Sequence, residues 1–317
     1  AEGLFPLWDS LHQHVGCELF NVAFGRLGLT VFFTGTTVVV DTDLLRAHPL
    51  RPCITEDIDL SYTLAMRGER IVANPYHGSD EELSPDLFSF LARRRRWANG
   101  HTAAFVSHLG ALPGAPLRWR DKLQFLFHGT HYLVCVAVFA LHLAIGAIVA
   151  RGLPPGAVLT SLGVSLALAA GIARTQWSGR WGTALSEVAV VTGWLFPAVL
   201  ILCNLAVAFV DGDAARAALP IPHAVQAVGL VGLCAPLGVL LVGLAGFRQL
   251  GTHTFAAVVL TFPVAFYLDI TGVLIGLTDA ALGRQLWHPV ARAERPAAEV
   301  DGAVAALASP VGIRDSW

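Results

Sequence analysis

Apolar and polar positions divide the chain into two unlike stretches. From Leu4 to Val22 the apolar residues Leu4, Trp8, Leu11, Val15, Leu19 and Val22 recur at helical spacing, with His12, His14 and Glu18 between them. This pattern predicts an amphipathic helix on a core or a membrane surface. Leu29 to Phe33 and Thr37 to Val40 are β-rich runs separated by Thr34-Gly35-Thr36, which predicts two short strands around a glycine loop. Thr55 is placed to cap a helix with Glu56 and Asp57 in its first turn, and Gly68 to end it after Arg67. Arg70 to Ala73 reads as another strand, ended by Asn74-Pro75. Strand, loop, helix and strand predict part of an α/β unit.

The next polar stretch, Leu83 to Gly100, predicts a helix with Ser84 as cap, Pro85 at its first position, Asp86 in its first turn and Gly100 as stop. Leu87, Phe88, Phe90 and Leu91 give it an apolar side suited to a membrane surface. Four arginines then run into a tryptophan. Arg93, Arg96 and Trp97 sit at i, i+3 and i+4, so two guanidinium forks and one indole share a face. Such a face suits an anionic phosphate beside a sugar ring. It also suits anionic lipid headgroups.

Beyond Asp121 the polar pattern gives way to five apolar runs, about residues 123–150, 157–173, 185–210, 224–246 and 255–278. A helix crossing a bilayer needs roughly 17 to 25 residues, so each run is long enough, the second at the lower limit. With the polar region on the cytoplasmic side, five crossings put Arg174, Arg180 and Arg248 inside, as positive-inside bias favours. The same count leaves Arg284, Arg292 and Arg295 outside, against it. The sequence therefore divides into a polar region, 1–121, a membrane region, 122–278, and a polar tail, 279–317.

Composition supports this division. The 317 residues are 55% hydrophobic and 14% charged, against roughly 25% charged in soluble domains. A net charge of −2 and the lack of a basic stripe interleaved with aromatics argue against nucleic acid as a partner. The five cysteines, Cys17, Cys53, Cys135, Cys203 and Cys234, form no C-x-x-C pair and suggest neither a disulfide framework nor a zinc site. His128, His131 and His142 suit interhelical hydrogen bonds, and Asp269 suits a helix-packing bond or the lining of a polar path.

The chemistry with most promise lies in Thr55-Glu56-Asp57. A carboxylate at a helix start is held in its charged form by the helix dipole and free backbone N–H groups, and so can accept a proton from a hydroxyl. First-turn acids are also common on any capped helix. Their company is more specific. Phe33-Thr34-Gly35-Thr36, then Thr55-Glu56-Asp57, then Arg93-Arg94-Arg95-Arg96-Trp97, then membrane helices, resembles the C-terminal part of the membrane-embedded family 2 glycosyltransferases, which include cellulose, hyaluronan, chitin and mannan synthases. The resemblance covers roughly Leu4 to Thr278.

That resemblance implies a partial α/β glycosyltransferase domain of the GT-A-like class followed by an α-helical transmembrane bundle. It implies an inverting transfer of a sugar from a nucleotide sugar, UDP-linked, to a growing polysaccharide or a lipid-linked acceptor. Asp57 would be the catalytic base, while Thr55, Glu56, Gly35, Thr36 and Trp97 would shape the acceptor site. Arg96 and Arg93 would meet the donor diphosphate. Arg93 stands where the family has Gln, and a guanidinium donates hydrogen bonds but cannot accept them. Family members also carry an upstream nucleotide-binding half with a D-x-D motif that holds Mg²⁺ or Mn²⁺. The metal is expected for the full-length enzyme with no ligands in this chain, so the chain alone is expected to be inactive. Asp41-Thr42-Asp43 spells D-x-D at the wrong spacing and suits a turn or helix cap. The expected location is a bacterial inner membrane crossed several times, with a cytoplasmic active site touching membrane lipids. The rival expectation is a non-catalytic membrane subunit or a remnant without a donor half.

Overall fold

A computed structural model of the chain describes residues 3–13, 15–16, 20–33, 35, 38–74, 81–210, 238 and 252–286. Its helices in chain order are α1 (Leu4–Gln13), α2 (Phe20–Arg26), α3 (Thr42–Ala47), α4 (Glu56–Met66), α5 (Leu87–Leu109), α6 (Trp119–Thr130), α7 (Val134–Arg151), α8 (Pro155–Thr175), α9 (Trp181–Val210) and α10 (Thr252–Ala281). The long amphipathic helix expected from Leu4 to Val22 is divided between α1 and α2.

Among the described residues no strand forms, although strands were expected at 29–33, 37–40 and 70–73. For 29–33 the reason is visible in its hydrogen bonds. The Thr30 N–H donates to Oε1 of Gln124 at 2.8 Å, and the Thr30 carbonyl accepts from Nε2 of the same side chain at 2.5 Å. The Phe33 N–H donates to Oγ of Ser61 at 3.0 Å. Helical side chains from α6 and α4 thus satisfy the backbone groups a neighbouring strand would have paired. Phe32 anchors the segment in a cluster with Tyr62, Phe105 and Phe125, its ring edge-on to Tyr62 at 5.4 Å.

Helix α5 begins later and runs further than its sequence suggests. Asp86, not Ser84, is the cap, accepting from the Ser89 N–H at 2.8 Å, while the Ser84 N–H donates to Asp9 at 2.8 Å. Gly100 does not stop the helix, which continues to Leu109. α4 follows its pattern more closely: Thr55 precedes it, though its hydroxyl makes no cap bond, and Gly68, at φ +82°, follows its end.

Four helical stretches among the described residues are long and apolar enough to cross a membrane: 119–151, 155–175, 181–203 and 255–281. The expected run at 224–246 lies outside the described residues apart from Gly238. α9 and α10 pack antiparallel, with Val191 beside Ile275 and Trp194 beside Ile270. Arg284 donates to Oγ of Ser186 at 2.7 Å, and its carbonyl accepts from Nδ2 of Asn99 on α5 at 2.6 Å. Residue 284 therefore lies at the end of the bundle that α5 occupies. The five-crossing count had put it at the opposite end.

The joint between α5 and α10 is made by ion pairs and by small residues. Arg94 bonds to Asp9 of α1 at 3.0 Å and also to Asp269 of α10. Arg95 bonds to Glu187 of α9 and Asp279 of α10, each at 2.6 Å. Both arginines are buried. Removing one partner of a buried pair leaves a desolvated charge and costs about 3–5 kcal/mol. Between these pairs the backbones nearly touch: a Cβ at Gly276 would stand 2.3 Å from the Arg95 carbonyl oxygen. Small residues permit such close approach of helices. Gly276→Ala should therefore lower the unfolding midpoint in detergent by the equivalent of at least ~2 kcal/mol, the scale of an overpacked core. Gly163→Ala, on an exposed face of α8 with open space around it, should leave that midpoint unchanged or raise it slightly. Equal midpoints for the two variants would disprove the close joint.

Candidate active site

The start of α4 is fixed between two glycines. A Cβ at Gly100 of α5 would lie 2.5 Å from Cγ2 of Thr55, so the missing side chain lets the buried Thr55 seat against α5. On the other side Gly35, at φ +81°, brings its backbone so near Asp57 that a Cβ there would lie 2.8 Å from Oδ2. Only glycine readily adopts this φ. Gly35 is thus brought to the carboxylate, while Thr36 lies outside the described residues.

Asp57 is an unusual first-turn acid. Burial pushes its pKa up to about 6; the Ile58 N–H and Arg96 pull it down, and Glu56 pushes it further up. The helix start alone would have lowered it. Desolvation wins, and the result is a carboxylate that is mostly ionised at neutral pH yet basic enough to take a proton. Arg96 is the counter-charge: its own pKa is lowered by burial and by Arg93, with Glu56, Asp57 and Glu81 opposing that fall.

The four arginines have separate tasks. Arg93, Arg94 and Arg95 are buried, whereas Arg96 and Trp97 keep partial exposure. Arg93 pairs with Asp9 at 3.0 Å and Glu81 at 3.6 Å and donates to the Glu82 carbonyl at 2.6 Å. It is enclosed by protein acceptors, which corrects the expectation that it faces a diphosphate together with Arg96. Trp97 stacks on His12 with ring centres 5.7 Å apart and an interplanar angle of 27°, and the Arg94 guanidinium lies 4.8 Å from the indole centre. Cation and ring attract at this distance.

Sequence reasoning missed Asp9, which takes both Arg93 and Arg94. Burial would raise its pKa, but Arg94, Arg93 and the Ser84 N–H together hold it below the usual range. It also missed His12, whose ring lines a cavity of about 490 Å³ beside the site. Asp269 lines the same cavity and is bound to Arg94 of α5, a helix-packing bond. His128 and His142 make interhelical bonds, to Tyr62 at 2.9 Å and Tyr267 at 3.1 Å. A smaller cavity of about 290 Å³ is lined in part by Arg51, Asp59, Gly100 and Gln285.

The residues of the D-x-D triplet do not fit a metal site. The Asp41 carboxylate accepts from the N–H groups of Asp43 and Leu44 at 2.9 and 3.0 Å and caps α3, while Asp43 pairs with Arg46 at 3.0 Å. Among the described residues no cluster of three or more His, Cys, Asp or Glu could hold a metal ion.

A family model described as "Glycosyl transferase family group 2" matches residues 11–269. The chain belongs to that family. It is therefore an enzyme of the transferase class, and the span of the match takes in α4, α5 and most of the helical bundle. Comparisons with curated proteins and with solved structures gave no match. For a family enzyme, Gly35→Ala should lower glycosyl transfer by about 10–10²-fold with helicity unchanged, since small displacements of a reacting group carry penalties of that size. Circular dichroism alongside turnover checks this; full activity in a folded variant would mean that Gly35 does not position Asp57.

Proposed function

We propose that this glycosyltransferase is an inverting enzyme that passes a sugar from a nucleotide sugar, UDP-linked, to a glycan or lipid-linked acceptor at a membrane, with Asp57 as base. The observation that carries the reading is the close approach of the Gly35 backbone to Asp57: a carboxylate whose pKa burial raises to about 6, held by a side-chain-free backbone, with the Arg96 charge pulling that pKa down. As the acceptor hydroxyl oxygen attacks the anomeric carbon, its proton passes to an Asp57 oxygen. The bond from that carbon to the diphosphate oxygen breaks, and its electron pair leaves with the diphosphate. Attack from the face opposite the leaving group inverts the carbon. Arg96 offsets the negative charge that gathers on the departing group. Trp97 gives the acceptor ring an apolar plate, and Thr55 and Glu56 shape the wall beside it.

In this reading the extended segments around Gly35 belong to an α/β, GT-A-like domain on the cytoplasmic side of a bacterial inner membrane. α5 lies at the lipid surface there, and the bundle crosses the bilayer several times. Growing polymers and lipid carriers both meet the enzyme at such a surface.

The reading fixes a pH profile. Below about pH 6 Asp57 is protonated and cannot act as base; above it the carboxylate forms and turnover rises. Glu56→Gln removes a charge that raises the Asp57 pKa, so the acid limb should move down. Arg96→Ala removes one that lowers it, so the limb should move up, with weaker nucleotide diphosphate binding as well. Asp57→Asn should reduce turnover by roughly 10²-fold or more and leave donor affinity nearly unchanged. These are measured as rate against pH with a UDP-sugar in membranes from cells expressing the full-length enzyme; a limb that ignores both neighbours, or undiminished turnover in Asp57→Asn, would remove Asp57 from the mechanism.

A further inference from the structure

The 490 Å³ cavity beside the site has no part in the transfer just described, and its size lies within the roughly 300–1,000 Å³ of ligand pockets. Its walls are aromatic: Phe20, Phe24, Phe32, Phe127, Phe262 and Phe266. α6 and α10, which supply three of these rings, belong to stretches long and apolar enough to cross a membrane. Phe127 is 67% exposed, so one wall opens outward from α6.

Several of the polar groups around this cavity are engaged with protein partners. Arg94 is bound to Asp9 and Asp269, His128 to the Tyr62 hydroxyl at 2.9 Å, and Nδ1 of His131 to the His128 carbonyl at 2.6 Å. The Trp8 indole donates to Oγ1 of Thr261 at 3.1 Å. The walls are mostly rings and aliphatic side chains, so a sugar ring placed here would bury hydroxyls against carbon, and buried hydroxyls without partners are unfavourable. With two carboxylates on Arg94, the site offers no surplus positive charge for a phosphate. A hydrocarbon chain needs neither.

Two residues join this cavity to the acceptor side. The His12 ring lines it and stacks on Trp97, and Phe32 lines it three positions before Gly35, whose backbone abuts Asp57. We infer that the cavity holds the hydrocarbon chain of a lipid-borne acceptor, whose sugar or hydroxyl head lies at Trp97 and Asp57. The inference rests on the reading of Asp57 as acceptor-side base and chooses, among the acceptors that reading allows, the lipid-linked class. The chain belongs to a polyprenyl carrier or a diacyl glycolipid, and the test separates these two sources.

The protein in lipid nanodiscs is irradiated with either of two probes, a polyprenyl-phosphate sugar or a diacyl glycolipid, each with a diazirine in its chain. Labelled peptides are mapped by mass spectrometry. One probe should label α2 and α10, and excess of the same lipid without diazirine should suppress that labelling. The probe that labels names the source. Gly16 lines the cavity and has nothing within 4 Å of the place its Cβ would take, so Gly16→Phe adds bulk at the cavity wall and should cut labelling at least tenfold. Asp57→Asn should label within twofold of the unaltered protein. No labelling by either probe, equal labelling of Gly16→Phe, or suppression by a soluble oligosaccharide would overturn the inference. Absent labelling with turnover still lost in Asp57→Asn removes the lipid site and leaves the base. Labelling with full turnover in Asp57→Asn leaves a lipid site and removes the base, and with it the acceptor role of the chain.

Discussion

Arg94 and Arg95 lie almost out of reach of solvent, and the placement of every other functional group depends on how their charges are met. Arg94 joins α1 and α10 through Asp9 and Asp269; Arg95 joins α9 and α10 through Glu187 and Asp279. Charges in such surroundings are tolerated only with partners of good geometry. The two residues therefore set the position of α5 along α10 to within a hydrogen bond's length. Gly272 and Gly276 complete the joint by letting the α5 backbone lie directly against α10. Arg96 and Trp97, next along the same helix, inherit their position from it.

The site is then assembled by close backbone contacts more than by side-chain reach. Gly100 receives Thr55, and Gly35 abuts Asp57, so the first turn of α4 is held from two sides by residues without side chains. This packing also explains the electrostatics. A carboxylate at an open helix start is stabilised as an anion, but enclosing it removes water, and the loss of water outweighs the nearby N–H groups and guanidinium. One local pattern thus has opposite effects on acidity depending on what covers it.

Much of this was legible in the sequence, for reasons that differ by element. The helical periods of four of the long apolar runs and the Thr55 and Gly68 boundaries of α4 are local signals, and they correspond to helices among the described residues. Asp41 capping α3 follows from side-chain chemistry within three residues. The division of labour among the arginines was not legible, because helical spacing gives angles around an axis and not the carboxylates of three other helices. Arg93 shared a face with Arg96 on that count, yet Asp9, more than eighty positions earlier, claims it. The segment 29–33 has strand-like composition, but propensity does not say whether a strand or the side chains of Gln124 and Ser61 will meet its backbone. Gly100 resembles a helix stop to any local rule, and only the seat it makes for Thr55 explains its presence inside α5.

The bond from Asn99 to the Arg284 carbonyl has a practical corollary. It draws the end of α10 to the turn of α5 that also receives Thr55, so that Gln285 lines the small cavity with Arg51, Asp59 and Gly100. A fluorophore attached at residue 285 would thus report on the small cavity behind Gly100, the residue against which Thr55 seats at the start of α4. Spectroscopically, the far end of the described sequence is a natural listening post for whatever occupies the site.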